Sequence, residues 1–237
     1  MRKKLKQEKH SKYRILLVTF IAIYILLNII LIIHNINLNV DSNLRRITGL
    51  GSAGNVGVAI YPACLLQLEE EYNFVSLCKN TTSKLVGDVL LPIEGKYEFV
   101  LRWNPTTQAF ETYSPEAATN EFYEMNFNES YFIYMKSNET LTLNGTNLGD
   151  VNIVEDDEYN APGYPYAFSA NISKYLGEIT ENISFALRWN METQEFITYS
   201  PEAEQSDFSR IQMGEGQYIY FLVPGQTIRY NKTALQS

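Results

Sequence analysis

Hydrophobic residues follow one rule along the start of the chain and another along the rest, and the change comes near residue 34. Residues 15–33 carry no charge and consist almost wholly of Ile, Leu, Val, Phe and Ala, interrupted only by Thr19, Tyr24 and Asn28. At about 1.5 Å per residue such a stretch makes roughly 29 Å of helix, about one hydrocarbon thickness. Further on, large apolar residues alternate with polar ones. Phe99, Leu101 and Trp103 are spaced by two, and Phe185, Leu187 and Trp189 repeat the spacing. That period predicts strands with one buried face, carrying both indoles inward as core anchors and leaving Arg102 and Arg188 on the other face to pair with acids.

The punctuation between apolar runs predicts hairpins. Asn104-Pro105-Thr106-Thr107 reads as a turn, with proline setting φ at its second position. A returning strand is expected at 110–113, ended by Ser114-Pro115, since proline has no donor for the ladder. Further strands are expected at 131–135 and, after Gly214-Glu215-Gly216, at 218–222, with short helical pieces at 82–91 and 173–179. Gly49, Gly51, Gly54 and Gly57 read as a flexible stalk, with a strand at 56–61.

These elements recur because the chain contains a duplication. Shifted by 86 residues, Leu101-Arg102-Trp103-Asn104 falls on Leu187-Arg188-Trp189-Asn190, Thr107-Gln108 on Thr193-Gln194 and Phe110 on Phe196. Thr112-Tyr113-Ser114-Pro115-Glu116-Ala117 recurs from Thr198 to Ala203, and Phe122, Glu129, Ile133 and Tyr134 match Phe208, Glu215, Ile219 and Tyr220. Half of the 34 positions from 101 to 134 are identical without a gap, far beyond chance. The expected fold class is mainly β: an N-terminal transmembrane helix followed by two tandem homologous small β-rich modules with minor α. The expected parts are a basic tail at 1–14, the span at 15–33 and a membrane-proximal stalk or strand at 34–67. Module copy 1 follows at 68–146, an acidic linker at 147–158 and module copy 2 at 159–237.

Charge sets the direction of the span. Arg2, Lys3, Lys4, Lys6, Lys9, Lys12 and Arg14 stand before it against one acid, Glu8, so the N-terminus is expected in the cytoplasm and the remainder outside. A cleavable signal fits poorly, because the apolar run is too long and His34-Asn35-Ile36-Asn37 offers no small-residue cleavage site. Removing the tail's seven basic residues and one acid from the totals of 19 and 27 leaves a net charge of −14 on the exterior. Nucleic acid is thereby excluded as a partner, since its binding rests on neutralising phosphates.

An outward location makes two residue types informative. Asn80, Asn128, Asn138, Asn144, Asn171, Asn182 and Asn231 each begin an Asn-X-Ser/Thr sequon, while Asn104 is excluded by Pro105. All seven are candidate N-glycosylation sites. Cys64 and Cys78 are the only cysteines, and an oxidising exterior favours a bridge between them; the alternative is two buried free thiols.

The order of motifs resembles a β-rich repeat of archaeal and bacterial surface proteins, which opens on Gly-Trp-Asn-Leu-Val-Ser-Leu-Pro and closes on Gly-x-Gly-Tyr-Trp-Ile. Tyr72-Asn73-Phe74-Val75-Ser76-Leu77, Trp103-Asn104, Tyr113-Ser114-Pro115, Tyr131-Phe132-Ile133-Tyr134 and Leu141-Thr142-Leu143 follow in that order. Gly214-Glu215-Gly216-Gln217-Tyr218-Ile219 is nearer the closing motif. Copy 1 departs by carrying Asn128 and Ser130 in place of the closing glycines. Copy 2 departs by carrying Asn160-Ala161-Pro162-Gly163 where the opening strand should run. The resemblance implies an extracellular structural or adhesion module and brings no catalytic residue with it.

Chemistry beyond that is sparse. His10 and His34 both lie outside the repeats, which removes a nucleophile–histidine mechanism and a histidine metal site. No enzyme activity, cofactor or metal is expected. Glu116 and Glu202 are the duplicated carboxylates for a glycan-active alternative, although a solvated turn explains them as well. Glu155-Asp156-Asp157-Glu158 could offer oxygens to a hard cation but lacks loop-site spacing. Trp103 and Trp189 are candidates for stacking on sugar rings if they are exposed.

The expectation is therefore a single-pass cell-membrane glycoprotein, partnered by the lipid bilayer through 15–33 and by envelope proteins or glycans outside. A pilin-like filament subunit, processed between Ser11 and Lys12, is an alternative, and a carbohydrate-binding or carboxylate-dependent glycan-active protein is another.

Overall fold

The structure, a computed structural model, describes residues 63–155 and 157–236. The basic tail, the apolar stretch 15–33, the glycine-rich segment and the strand expected at 56–61 lie outside the described residues. Among the described residues no helix is long and apolar enough to cross a membrane.

The described chain is mainly β, built as several small antiparallel sheets. Its first part runs β1 (Cys64–Leu68), β2 (Glu71–Ser76), β3 (Asn80–Thr81), α1 (Val86–Val89), a 3-10 turn (Leu91–Ile93), β4 (Tyr97–Asn104), β5 (Ala109–Tyr113), β6 (Ser130–Met135), β7 (Glu139–Leu143) and β8 (Gly145–Thr146). Its second part runs β9 (Val151–Glu155), β10 (Tyr159–Asn160), β11 (Ala170–Asn171), α2 (Ile172–Leu176), a 3-10 turn (Gly177–Asn182), β12 (Ile183–Asn190), β13 (Glu195–Tyr199), β14 (Arg210–Ile211), β15 (Gln217–Phe221), β16 (Gln226–Tyr230) and α3 (Lys232–Gln236). Four-stranded sheets in the orders β2-β6-β4-β5 and β10-β15-β12-β13 correspond strand for strand. So do the ribbons β1–β7 and β9–β16. Each part closes its own apolar cluster, around Leu77, Leu90, Val100 and Ile133 in one and Ile172, Ala186, Ile219 and Ile228 in the other.

Two expected boundaries move. The limit between 67 and 68 falls inside β1, which pairs with β7 from Cys64↔Leu143 to Leu68↔Glu139. Residues 147–158, read as an acidic linker, contain β9, which pairs with β16 and buries Ile153 in the second core. Acids at the end of that segment masked a period-two pattern, and even Glu155 is only 8% exposed.

The faces of β4 and β12 also differ from expectation. Val100 and Ala186, not Leu101 and Leu187, are fully buried. Arg102 and Arg188 share the inward side, their guanidinium groups 4.7 Å and 4.9 Å from the ring centres of Phe122 and Phe208. Both rings are themselves buried, so each arginine extends apolar packing with its flat cation. Leu101, Trp103, Leu187 and Trp189 are half-buried on the opposite side.

Each hairpin is set by its asparagine. Asn104 Oδ1 accepts from Thr107 N at 3.1 Å, and Asn190 Oδ1 accepts from Glu192 N at 3.0 Å. Gln108 and Gln194 close the loops at φ of 52° and 54°, a left-handed conformation that L side chains adopt only at some cost. The outer edges of β5 and β13 are covered by one repeated device. Glu121 accepts from Thr112 N at 2.6 Å and its own N–H donates back to Thr112 O at 3.1 Å. Asp207 does the same to Thr198, at 2.8 Å and 3.0 Å. Such caps satisfy backbone groups that would otherwise be open to another strand.

Candidate functional site: a reciprocal aromatic seam

The half-buried faces of the two four-stranded sheets meet each other. Trp103 Nε1 donates to Tyr159 O at 2.8 Å, and Trp189 Nε1 donates to Tyr72 O at 2.9 Å. Each indole thus reaches the opening strand of the other part. The glutamines follow: Gln108 Nε2 lies 3.3 Å from Tyr159 O, and Gln194 Nε2 lies 3.2 Å from Tyr72 O. Their amides also bond the loop carbonyls of Pro105 and Met191, which offsets the left-handed backbone.

Main-chain bonds cross the same seam in matched pairs. Ser76 N donates to Gly214 O at 2.9 Å and Gly216 N to Phe74 O at 2.9 Å. In mirror fashion Gly163 N donates to Asn128 O at 2.9 Å and Ser130 N to Ala161 O at 2.7 Å. The correspondence Ser76 with Gly163, and Ser130 with Gly216, gives every crossing one serine and one glycine. Glycine is required by contact, since a Cβ on Gly163 would lie 2.2 Å from Phe127 O and one on Gly216 would lie 2.9 Å from Phe74 C. The serines use the space: Ser76 Oγ lies 2.9 Å from Glu215 O, and Ser130 Oγ donates to Pro162 O at 2.6 Å.

Aromatic rings fill the seam between these bonds. Phe132 stacks on Phe74 at 4.3 Å and meets Trp189 edge-on at 5.3 Å, and Trp103 meets Tyr218 edge-on at 5.1 Å. Phe110 and Phe196 stand beside the two indoles at 5.1 Å and 4.9 Å, with 43% and 40% of their surfaces exposed.

The arginines below the seam are wired differently. Arg102 Nε donates to Glu111 Oε2 at 2.9 Å, and Asn104 Nδ2 donates to Oε1 of the same carboxylate at 2.6 Å. Burial opposes ionisation of Glu111, but those hydrogen bonds and the guanidinium charge together hold its carboxyl below the usual range. Position 197, which corresponds to 111, holds isoleucine, and Arg188 turns to Glu215 at 3.4 Å. There burial outweighs Arg188 and the bond from Gln212 N, and the carboxyl is pushed up. In the first part the residue corresponding to Glu215, Glu129, accepts from the Tyr131 hydroxyl. Gln217 stands where Tyr131 does; it is fully buried, and both side-chain amide atoms lack a protein partner.

The remaining expected residues are spread over the surface. Cys64 and Cys78 are bridged, with Cα atoms 5.9 Å apart, tying β1 to the residues after β2. Asn80, Asn138, Asn144, Asn171 and Asn231 are exposed, whereas Asn128 and Asn182 are half-buried. Asn171 and Asn231 accept from Ser173 N and Ala234 N at helix starts. Glu116 and Glu202 are exposed after strand ends, in no shared site that the structure shows. Among the described residues no group of three or more His, Cys, Asp or Glu is arranged to hold a metal ion. The seam's glutamines and serines carried no role in the sequence reading. The signals for them were the recurrence of Thr-Gln in both copies and the placing of Ser76 and Ser130 in the opening and closing motifs. Comparison with protein-family models, with curated proteins and with solved structures found no match.

Proposed function

We propose that this chain is a membrane-anchored cell-surface glycoprotein whose exterior is a duplicated β module serving structure or adhesion in the envelope. The reading takes residues 15–33 as an uncleaved anchor with the basic tail inside, and the two copies as homologous modules. The observation that carries the structural role is the reciprocity of the seam. Each copy spends its tryptophan, its glutamine and its opening strand on the other copy, so the duplicated residues work as mutual fasteners rather than as groups aimed at a substrate. The Cys64–Cys78 bridge supports an oxidising compartment, and five exposed sequon asparagines support glycosylation.

The decisive experiment is the intact mass and N-terminal sequence of the protein from its native membranes. A chain starting at Met1, heavier than 27.2 kDa by sugar-sized steps, is the expected result. A start near Lys12 would overturn the uncleaved anchor in favour of the filament subunit. A second reading, glycan binding, is favoured by the repeated pairs Trp103–Phe110 and Trp189–Phe196, whose phenylalanines present exposed rings at equivalent places. Quenching of tryptophan fluorescence by added oligosaccharide tests it.

A further inference from the structure

Two sequons that are far apart in sequence share one ribbon. β3 pairs with β8 so that Asn80 faces Thr146 and Thr81 faces Gly145. The two motifs, Asn80-Thr81-Thr82 and Asn144-Gly145-Thr146, therefore run antiparallel against each other. The approach is close: a Cβ on Gly145 would lie 2.2 Å from Asn80 O. Beside this ribbon a groove of about 170 Å³ opens between the end of β7 and α1, and Asn144 is among the residues that line it. Thr82, Ser83 and Thr142 are its hydroxyl-bearing lining residues, and Val89 and Pro92 its apolar ones. Asp88 adds a carboxylate, already accepting from Ser83 Oγ at 2.6 Å.

We infer that the groove seats the first sugar of a glycan carried on Asn144, an inference that rests on the glycoprotein reading above. The size fits one sugar ring. It holds several waters at about 30 Å³ each and falls below the roughly 300–1,000 Å³ of sites for drug-sized ligands. The lining matches as well, since a pyranose offers hydroxyls around its rim and C–H groups on its faces. Hydroxyls and a carboxylate beside an apolar patch are the complement. Tethering supplies the affinity, because a sugar bonded to Asn144 Nδ2 meets the groove at high effective concentration. Asn231 makes the contrast. It follows β16 as Asn144 follows β7, but it is no part of this groove's wall, and its side-chain oxygen caps α3.

The test is hydrogen–deuterium exchange on the full chain from native membranes, with glycopeptide masses to score occupancy, as a double-mutant cycle. The pairs are wild type against Asn144→Gln, and Thr142→Arg against Thr142→Arg with Asn144→Gln. Thr142 is exposed, and arginine there fills the groove while the sequon stays intact. With Asn144 occupied, backbone amides in segment 81–89 should exchange about tenfold more slowly in wild type than in Asn144→Gln. That difference should vanish in the Thr142→Arg pair. Equal exchange in the first pair, or an equal difference in both pairs, overturns the inference. An unoccupied Asn144 beside an occupied Asn231 overturns it too, while leaving the glycoprotein reading standing. If no sequon carries sugar, that reading fails and takes the groove's occupant with it.

Discussion

The two copies of Leu-Arg-Trp-Asn place identical side chains on corresponding strands, over corresponding phenylalanines, and then give their arginines different carboxylates. Arg102 meets an ionised Glu111 that asparagine also holds, and nearby Glu129 is occupied by the Tyr131 hydroxyl. Arg188 meets Glu215, a carboxyl that burial pushes toward its neutral form. Its Nε and the Gln217 amide both lack a protein partner. Isoleucine for Glu111 and glutamine for Tyr131 are enough to turn a satisfied network into one with orphan groups. The surroundings differ on a larger scale too. The first core is stapled by a disulfide, whereas the second is filled by Tyr164, Tyr166, Tyr175 and Tyr230. The Tyr230 hydroxyl there lies 2.9 Å from Tyr175 Oη and 3.2 Å from Gly163 O. A duplicated motif therefore conserves its place in the ladder more strictly than its electrostatics, because backbone register depends on period and turn while an ion pair depends on individual neighbours.

The largest effect should come from exchanging the seam's serine and glycine. Gly163→Ser forces a side chain into Phe127 O and should cost about 4 kcal/mol or more, whereas Ser76→Gly gives up only its hydroxyl bonds and should cost about 1–2 kcal/mol. Equal losses in urea unfolding would mean the two crossings are not as asymmetric as their contacts. Next, Cys64→Ser with Cys78→Ser should lower stability by about 3 kcal/mol, the loop-closure value for roughly 15 residues. That loss should appear first as faster amide exchange in 64–78. Removing an indole donor is milder. Trp103→Phe and Trp189→Phe should each cost about 1–2 kcal/mol in chemical denaturation. Trp103→Phe should cost the more, because Gln194 holds Tyr72 through its N as well as its O, whereas Gln108 reaches only Tyr159 O.

Two smaller effects sharpen the arginine contrast. Gln217→Met removes both orphan amide atoms at nearly constant volume and should raise stability by about 1 kcal/mol in a thermal melt, where a loss would reveal an ordered water serving them. The smallest effect should be in pH dependence, and its sign differs between copies. Glu111 is depressed in the fold, so its contribution is present above the ordinary carboxylate value and is lost as pH falls through the depressed one. Glu215 is raised, so its contribution is present below the ordinary value and is lost as pH rises through the raised one. Urea midpoints followed from pH 3 to pH 7 should lose their acid limb in Glu111→Gln and their rise toward acid in Glu215→Gln; a change of the same sign in both would break the comparison.

Much of this architecture was legible along the chain. The strands around Trp103 and Trp189, the asparagine turns and the duplication follow from local rules, since a turn residue and a period of two act within a few positions. The short helical pieces were also placed, though α1 and α2 are shorter than the stretches predicted. What escaped was anything set by partners distant in sequence. The terminal acids of β9 hide its period of two, and nothing local marks β1 as a strand, because its partner, β7, lies more than seventy residues away. The groove at Asn144 is walled by residues from 81–92 and from 142–144, which only the fold brings together.

By itself, the sequence determined where strands begin and turn, that the copies are duplicates, and that residues 15–33 form one uncharged apolar run. Only the tertiary structure decided which face of each strand turns inward. A period of two defines two faces but does not rank them when one carries Leu and Trp and the other Val and Arg. In the fold Val100 and Ala186 turn inward, and the arginines beside them lie over the rings of Phe122 and Phe208. The indoles were left to donate across to Tyr159 and Tyr72, where each copy supplies the acceptor that the other's tryptophan needs.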